Sequence, residues 1–361
     1  MLFSKFCKKT ILSISAGIFA VTASYAAVPL PQAQAFDWGN IAGAVISGAV
    51  TSAQLNSTIK KYNDSEEGRQ AFFENMKQQY GVNDDPELNN RVDIIMSNLT
   101  DAIGSVDSSI YEKPYNYFIN NEKSFNAFCT LGHNMSINSG LFNVISSNDE
   151  IAVVLAHEMG HGQKDHPAKG AKSSIGPQIL ANATGSIVGV LVANLWNNQG
   201  ITKPMEWEAD NLAFEYITHT YYNPGATAAV WQRVMERSSG GSNDFLQFLA
   251  GGSDHPSDKE RRNNYLKLLH QYSNKHVELK DGLVKINGKD FVTPAPADGM
   301  SSEERACFVL GNLASAYHHG YGSSDITVDG DIVMMGPQAI MVSVDGDESA
   351  QALADRLAAI K

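Results

Sequence analysis

The stretch that decides the fold is Val154-Leu-Ala-His-Glu-Met-Gly-His161, which overlaps an uncharged run from Ile151 to Ala156. In a helix, positions four apart lie on one face, so the imidazoles of His157 and His161 can point at one metal ion. Glu158 is turned from the ligand axis but lies close enough to reach a water on that ion. This pattern is typical of catalytic zinc sites, and it predicts a buried metal-binding helix.

A catalytic zinc site needs a third protein ligand, and the downstream sequence offers one. His166 is five residues past His161, about 140° round the helix, which makes it a poor ligand for the same ion. The better candidate is Glu206, which lies four residues before Asp210 on a predicted helix. One of these two carboxylates can bind the metal, while the other accepts the second N–H of a ligating histidine and fixes its tautomer. Glu208, about 200° from Glu206, is predicted to be a solvated or structural acid.

With these motifs, the sequence resembles metallopeptidase family forty-eight, the HtpX and CAAX-prenyl-endopeptidase family, and most closely its exported YggG-like branch. The similarity covers roughly residues 65–272. It rests on Asn126-Ala-Phe128, Ser139-Gly-Leu141 leading to Glu150, His157–His161 with the trailing His166, Glu206-x-Glu208-Ala-Asp210, and His255-Pro-Ser257 with Arg261. The resemblance implies that His157, His161 and Glu206 bind one zinc ion per chain and that Glu158 is the general base.

The function that the resemblance implies is a zinc-dependent endopeptidase of the cell envelope, often tied to the quality control of misfolded proteins. Glu158 would take a proton from a zinc-activated water and deliver it to the leaving amine of a polypeptide substrate. The developing oxyanion needs a further donor. The candidates are His255, Arg261, Tyr221 and Tyr222. Asn126 is a candidate substrate contact, because the strand it opens could pair with an extended peptide.

Two alternatives stay open: a zinc-binding assembly factor or chaperone-like module with little proteolysis, and a membrane-associated peptidase. Glu158 argues against the first, because a purely structural zinc site needs no water-activating carboxylate. The second depends on residues 175–196, an uncharged stretch of membrane-helix length. Polar groups within it are costly in hydrocarbon, so we expect a helix packed against protein, with peripheral membrane contact as the intermediate case.

The N-terminus predicts export. Lysines within residues 5–9 precede a short apolar stretch at 10–21, and small-residue cleavage sites follow at 24–26 and 33–35. This is the pattern of a secretory signal peptide, which places the mature chain in the periplasm or elsewhere outside the cytoplasm. The full chain has 27 Lys and Arg against 39 Asp and Glu, a net charge of −12. Such a surface disfavours nucleic-acid binding.

The predicted fold class is α+β: a mainly helical zincin-type peptidase domain with a small antiparallel sheet, plus a small C-terminal α+β domain. The predicted boundaries are 1–26 for the signal peptide (with cleavage as late as 35), 27–64 for a small-residue helical leader, 65–273 for the peptidase domain and 274–361 for the accessory domain. Asp281-Gly282 and Asp329-Gly330 predict hairpin turns in the latter. We see no internal repeat. Cys129 and Cys307 are predicted either to pair or to be buried free thiols.

Overall fold

The computed structural model describes residues 52–175, 191, 200–239 and 256–361. The predicted signal peptide, most of the uncharged stretch 175–196 and His255 lie outside the described residues. All described residues fall within one unit that covers Gly39–Lys361. Among the described helices, none is both long enough and apolar enough to cross a lipid bilayer.

Three helices precede the first sheet: α1 (Ser52–Asp64), α2 (Glu66–Tyr80) and α3 (Pro86–Val106). Their ends follow local capping chemistry. The Ser65 side chain accepts the N–H of Gly68 at the start of α2, and Asp85 caps α3 directly before its first-turn proline. The apolar faces of α2 and α3 are buried, as their helical spacing predicts.

The first sheet contains β1 (Asn116–Asn120), β2 (Ala127–Thr130) and β3 (Asn134–Asn138), in the order β1-β3-β2. Strands β2 and β3 are antiparallel, but β1 and β3 are parallel, so this sheet is mixed rather than antiparallel throughout. Strand β3 lies between β1 and β2 and runs in the same direction as β1, so only its pairing with β2 is antiparallel. Strand β2 is therefore an edge strand.

The helices that follow are α4 (Leu141–Val144), α5 (Asn148–Gln163), α6 (His166–Ser174), α7 (Lys203–Thr218), α8 (Ala226–Ser239) and α9 (Asp258–Tyr272). Helix α5 is the predicted metal-binding helix, and it packs closely against α7. Gly160 makes this approach possible, because a Cβ atom there would lie 3.2 Å from the Ala209 carbonyl oxygen. The contact brings the acidic motif of α7 beside the histidines of α5.

The C-terminal part consists of two successive β-β-β-α units. The first is β4 (Val277–Lys280), β5 (Leu283–Ile286), β6 (Lys289–Val292) and α10 (Ser302–His318). The second is β7 (Ile326–Asp329), β8 (Ile332–Met335), β9 (Gln338–Val342) and α11 (Ala350–Ile360). Each unit forms an antiparallel meander, and the register shifts at equivalent points, Val284/Lys285 and Val333/Met334. The two predicted hairpin turns lie within these meanders.

The expectation of no internal repeat is therefore wrong. The equivalent first strands read Val-Glu-Leu-Lys and Ile-Thr-Val-Asp, so the units share the alternation of apolar residues but few identities. A shared period of two is a weak signal, since any half-buried strand has it. Identical pairing and turn positions reveal the repeat only in three dimensions.

The main hydrophobic core is continuous from Val92 on α3 to Leu357 on α11. It crosses the predicted domain boundary at residue 273. Gly311 on α10 contacts the loop before α8 so closely that a Cβ atom would lie 2.2 Å from the Gly225 nitrogen. The predicted fold class is confirmed, whereas the domain boundaries stay predictions. Cys129 and Cys307 are both buried free thiols.

Candidate metal centre

Two helices bring three potential ligands together. Helix α5 supplies His157 and His161, whose Nε2 atoms are 3.1 Å apart. Helix α7 supplies Glu206, with Oε2 3.5 Å from Nε2 of His157 and Oε1 3.7 Å from Nε2 of His161. Ligand atoms of all three residues lie within 4.8 Å of one another, which is close enough to hold one metal ion.

This donor set fits zinc in chemistry and in size. Zinc in proteins binds imidazole nitrogen and carboxylate oxygen at about 2.0–2.2 Å in tetrahedral geometry. The edges of such a tetrahedron are about 3.4 Å long, which agrees with the three distances between the donor atoms. Two nitrogens and one oxygen leave the fourth position open, as in a catalytic zinc site.

His157 is oriented from behind by Asp210. The Oδ1 atom of Asp210 is 3.0 Å from Nδ1 of His157, and the aspartate is completely buried. Burial alone would raise the pKa of Asp210, but Arg261 and His157 outweigh it and lower that pKa. Burial alone would lower the pKa of His157, but its hydrogen bonds to Asp210 and Glu206 raise it to about 9. Carboxylates thus surround the ring on two sides.

Arg261 on α9 contacts the carboxylates of Asp210 and Glu206. Its Nε donates to Oδ2 of Asp210 at 2.8 Å, and its Nη2 contacts Oδ1 of the same residue. Its Nη1 lies 3.4 Å from Glu206 Oε2, and its guanidinium stacks 3.7 Å from the ring centre of Trp231. A cation so placed balances the negative charge of the acidic motif.

Glu158 lies between the two candidate ligand histidines and the edge strand. Its Oε2 accepts the backbone N–H of Cys129 on β2 at 2.9 Å. Burial raises the pKa of Glu158 to about 7, although His157 and the Cys129 N–H oppose the rise. A general base works best when its pKa is near the working pH, so this carboxylate suits proton transfer near neutrality.

The trailing histidine, His166, begins α6 and lies on the opposite edge of the His161 ring from Glu206. Its Nδ1 is 3.0 Å from Nδ1 of His161, and its Nε2 is 3.2 Å from Oε2 of Glu208. It therefore contacts a candidate ligand, His161, without belonging to the group of three potential ligands. Glu208, whose side chain is 48% exposed, serves as its partner.

A cleft with a cavity volume of about 60 Å³ lies over these residues. One wall carries the metal-binding and acidic groups. The apolar part of the lining includes Phe125, Val153, Val154, Ile201, Val230, Trp231 and Val234. The cleft therefore combines a polar wall, which carries the candidate metal ligands, with a hydrophobic one.

The other predicted substrate or oxyanion contacts are less central. Tyr222 is buried, with its hydroxyl 3.5 Å from Nδ2 of Asn98, whereas Tyr221 is 71% exposed. Neither tyrosine belongs to the described lining of the cleft. Asn126 is buried before β2, and its Oδ1 has no hydrogen-bond partner among the described residues. The structure does not describe His255.

Sequence reasoning missed three contributors to the site. The Tyr265 hydroxyl donates to Asp210 Oδ1 at 2.9 Å, and its position four residues after Arg261 was a usable helical signal. Trp231 stacks on Arg261 from a different helix, so no spacing links the two. The Cys129 N–H is a backbone group, and only the strand pairing shows that it faces Glu158.

The helical fold, the paired histidines and the carboxylate from a second helix define the zincin-type class of metallopeptidases. The chain belongs to peptidase family M48, because residues 86–268 match the model of that family. The family resemblance seen in the sequence is thus confirmed, and peptidase membership implies polypeptide substrates.

Several characterised proteins are similar to part of the chain. It is 26% identical to the metalloprotease LoiP of Escherichia coli (strain K12), over 45% of this chain and 66% of that one. It is 28% identical to the mitochondrial metalloendopeptidase OMA1 of Arabidopsis thaliana, over 39% and 29% of the two chains. For the beta-barrel assembly-enhancing protease of Escherichia coli (strain K12), the identity is 22% over 43% and 34%. The chain spans less than two thirds of the length of each of these relatives.

Proposed function

We propose that this protein is a zinc-dependent endopeptidase of the cell envelope that hydrolyses unfolded or misfolded proteins. The observation that carries the proposal is the grouping of His157, His161 and Glu206 in one cleft with the buried Glu158 beside them. The combined motifs, His-Glu-x-x-His and Glu-x-x-x-Asp, correspond to the gluzincin type. The exported YggG-like branch of the family is the proposed subgroup.

The mechanism follows from the positions of the side chains. Zinc held by His157, His161 and Glu206 would supply Lewis-acid polarisation of the scissile carbonyl and would make water more acidic. Glu158 accepts a proton from the attacking water as the water oxygen bonds to the carbonyl carbon. Glu158 then gives this proton to the leaving nitrogen as the carbon–nitrogen bond breaks. The Cys129 N–H engages one oxygen of Glu158, so the other oxygen carries the proton.

Substrate binding is proposed to use the backbone of β2 and the apolar wall. The edge of β2 that does not pair with β3 faces the cleft, because the Cys129 N–H on that side reaches Glu158. An extended peptide can add to such an edge through its own backbone with little demand on sequence. The apolar wall favours hydrophobic side chains, which folded proteins hide and unfolded ones expose.

Export is part of the proposal and rests on the N-terminal sequence. The signal-peptide pattern within residues 1–26 would deliver the mature chain to the periplasm or the extracellular envelope. Polypeptides are the proposed partners, without nucleic acid and with peripheral membrane contact as an option. An assembly factor with little proteolysis is the outcome that the following experiment separates from an enzyme.

The test is the hydrolysis of casein by the mature chain from residue 27, with Glu158→Gln as the inactive variant. Exposed Glu215, which lies on α7 outside the cleft lining, provides the matched control Glu215→Gln. We expect the Glu158 variant to bind one zinc ion yet cleave at least about 10²-fold more slowly, since general-base groups contribute about 10²–10⁴-fold. Chelation should abolish cleavage and added zinc should restore it. A zinc-bound unmodified chain without activity would favour the assembly factor.

A further inference from the structure

We propose that Glu208 and His166 are positioning residues that set the tautomer of His161 and thereby its readiness to bind metal. The proposal rests on the proposed zinc site and deepens it. Its basis is the hydrogen-bonded series Glu208–His166–His161, with 3.2 Å from Glu208 Oε2 to His166 Nε2 and 3.0 Å between the two Nδ1 atoms. We call this series the α7–α6–α5 relay.

The backbone explains why His166 reaches His161. Asp165 has a left-handed conformation, with φ of 51°, and it separates the end of α5 from the start of α6. The turn brings His166 back to the side of α5, where its ring meets that of His161 edge-on at 71° with 5.0 Å between centroids. His166 is 1% exposed, so its ring is held by its contacts within the protein rather than by solvent.

When His161 and His166 are both neutral, proton counting selects one arrangement of the relay. The hydrogen bond between the two Nδ1 atoms contains a single proton, so one ring donates it and the other accepts it. If His161 donates, its Nε2 is bare and presents a lone pair toward Glu206 and His157. The proton of His166 is then on Nε2, where it donates to the Glu208 carboxylate.

The opposite arrangement is unfavourable for a physical reason. If His166 donated from Nδ1, neutral His166 would direct the bare lone pair of Nε2 at the Glu208 carboxylate, which cannot donate. His161 would then have its proton on Nε2, the atom that must be bare to bind a metal. The negative charge of Glu208 thus favours the metal-binding tautomer of His161 through His166.

Helix α7 therefore acts on both histidine ligands. Asp210 accepts from Nδ1 of His157 directly, whereas Glu208 acts on His161 through the intervening ring. Glu206 lies between the ligands themselves. Partners of this kind contribute about 10–100-fold to metal affinity in other zinc proteins.

The test measures the zinc dissociation constant of the mature chain by competition with a coloured chelator. Glu208→Ala is expected to weaken zinc binding about tenfold or more, and Glu208→Gln to restore most of it because the amide oxygen still accepts. Glu215→Ala on the same helix is the matched control. Lys164→Ala removes the other partner of Glu208, which lies 3.7 Å from its Oε1, and should leave the affinity unchanged.

A double-mutant cycle then isolates the route through His166. His166→Asn keeps an acceptor near the position of Nδ1 but breaks the link to Glu208, so Glu208→Ala should have no further effect in that background. Nitrogen-15 NMR of labelled histidines should show the His166 proton on Nε2 in the unmodified chain and a mixture of tautomers in Glu208→Ala.

Wild-type zinc affinity in Glu208→Ala, with His166 still protonated on Nε2, would overturn the relay. An equal loss from Glu208→Ala in the His166→Asn background would also overturn it. Zinc affinity is measured without a substrate, so a chain that binds zinc but cleaves nothing would refute the proposed peptidase and leave the relay to be judged separately. Metal-free thermal unfolding confirms that each variant is folded.

Discussion

A buried cluster of charged residues links helix α5 to the C-terminal part, and we expect it to make stability depend on pH. Arg233 on α8 donates from Nε to Glu150 Oε1 on α5 at 3.0 Å and lies 3.4 Å from Glu304 Oε1 on α10. Glu236 on α8 shares a hydrogen bond with Ser301, the residue that caps α10. Two buried carboxylates thus share one buried guanidinium.

The perturbation is Glu304→Gln, and its magnitude follows from the pKa. Burial raises the pKa of Glu304 from its ordinary 4.5 to about 6, against the opposing effects of the Ser301 N–H and Arg233. Glu304 is 2% exposed, so solvent screens it little. A pKa raised in the folded state adds stability when the group is protonated. This contribution is complete below pH 4.5 and is lost as the pH rises through 6, about 2 kcal/mol in all and about 1 kcal/mol between pH 5 and 7.

The assay is urea unfolding of metal-free protein at several pH values between 5 and 7. The unmodified chain should lose about 1 kcal/mol from this group as the pH rises, whereas Glu304→Gln should not. Between pH 5 and pH 7, the free energy of unfolding of Glu304→Gln minus that of the unmodified chain should therefore rise by about 1 kcal/mol. Ser302→Ala changes the same helix without a titratable group and should show a constant difference. A constant difference for Glu304→Gln as well would refute the assigned role of burial.

Three other perturbations test the packing and the metal. Gly160→Ala should push α7 from α5 by a few tenths of an ångström, because its Cβ would lie 3.2 Å from the Ala209 oxygen. We expect zinc binding, measured by competition with a chelator, to be about tenfold weaker. The free energy of unfolding should change little, since alanine favours the helix by about 1 kcal/mol. Gly311→Ala would place Cβ 2.1 Å from Asn223 Oδ1, so urea unfolding should show a loss of about 1–3 kcal/mol or more. Zinc at a thousandfold excess over its dissociation constant should raise the free energy of unfolding by about 4 kcal/mol, measurable as a thermal shift that a chelator reverses.

The local sequence signals predicted the helices and the ligand spacing well. The i, i+4 rule predicts that His157 lies beside His161 and Glu206 near Asp210, and the structure has both helices in these places. These relations are short in sequence, so a periodicity of 3.6 residues suffices to predict them.

Contacts between distant segments could not be predicted in the same way. The parallel pairing of β1 with β3, the donation from Cys129 to Glu158 and the stacking of Trp231 on Arg261 each join separate elements. No periodicity encodes them, because they depend on how helices and strands pack after they form. The repeated β-β-β-α unit is hidden in the sequence for a related reason, since its two copies share topology rather than residue identity.

The acidic motif of α7 shows why residue types alone do not predict how such a site is arranged. Three acids at i, i+2 and i+4 cover more than one face of a helix, which is typical of a solvent-exposed surface. Here Glu206 faces the ligand histidines, Asp210 is buried against His157, and Glu208 reaches outward to His166. On an isolated helix Glu208 would point into solvent. Here His166, at the start of α6, lies beside it, because the turn at Asp165 brings the chain back to the side of α5. A single helix can therefore contact the histidine pair through Asp210 and, by way of His166, through Glu208, while it places the candidate ligand Glu206 between them.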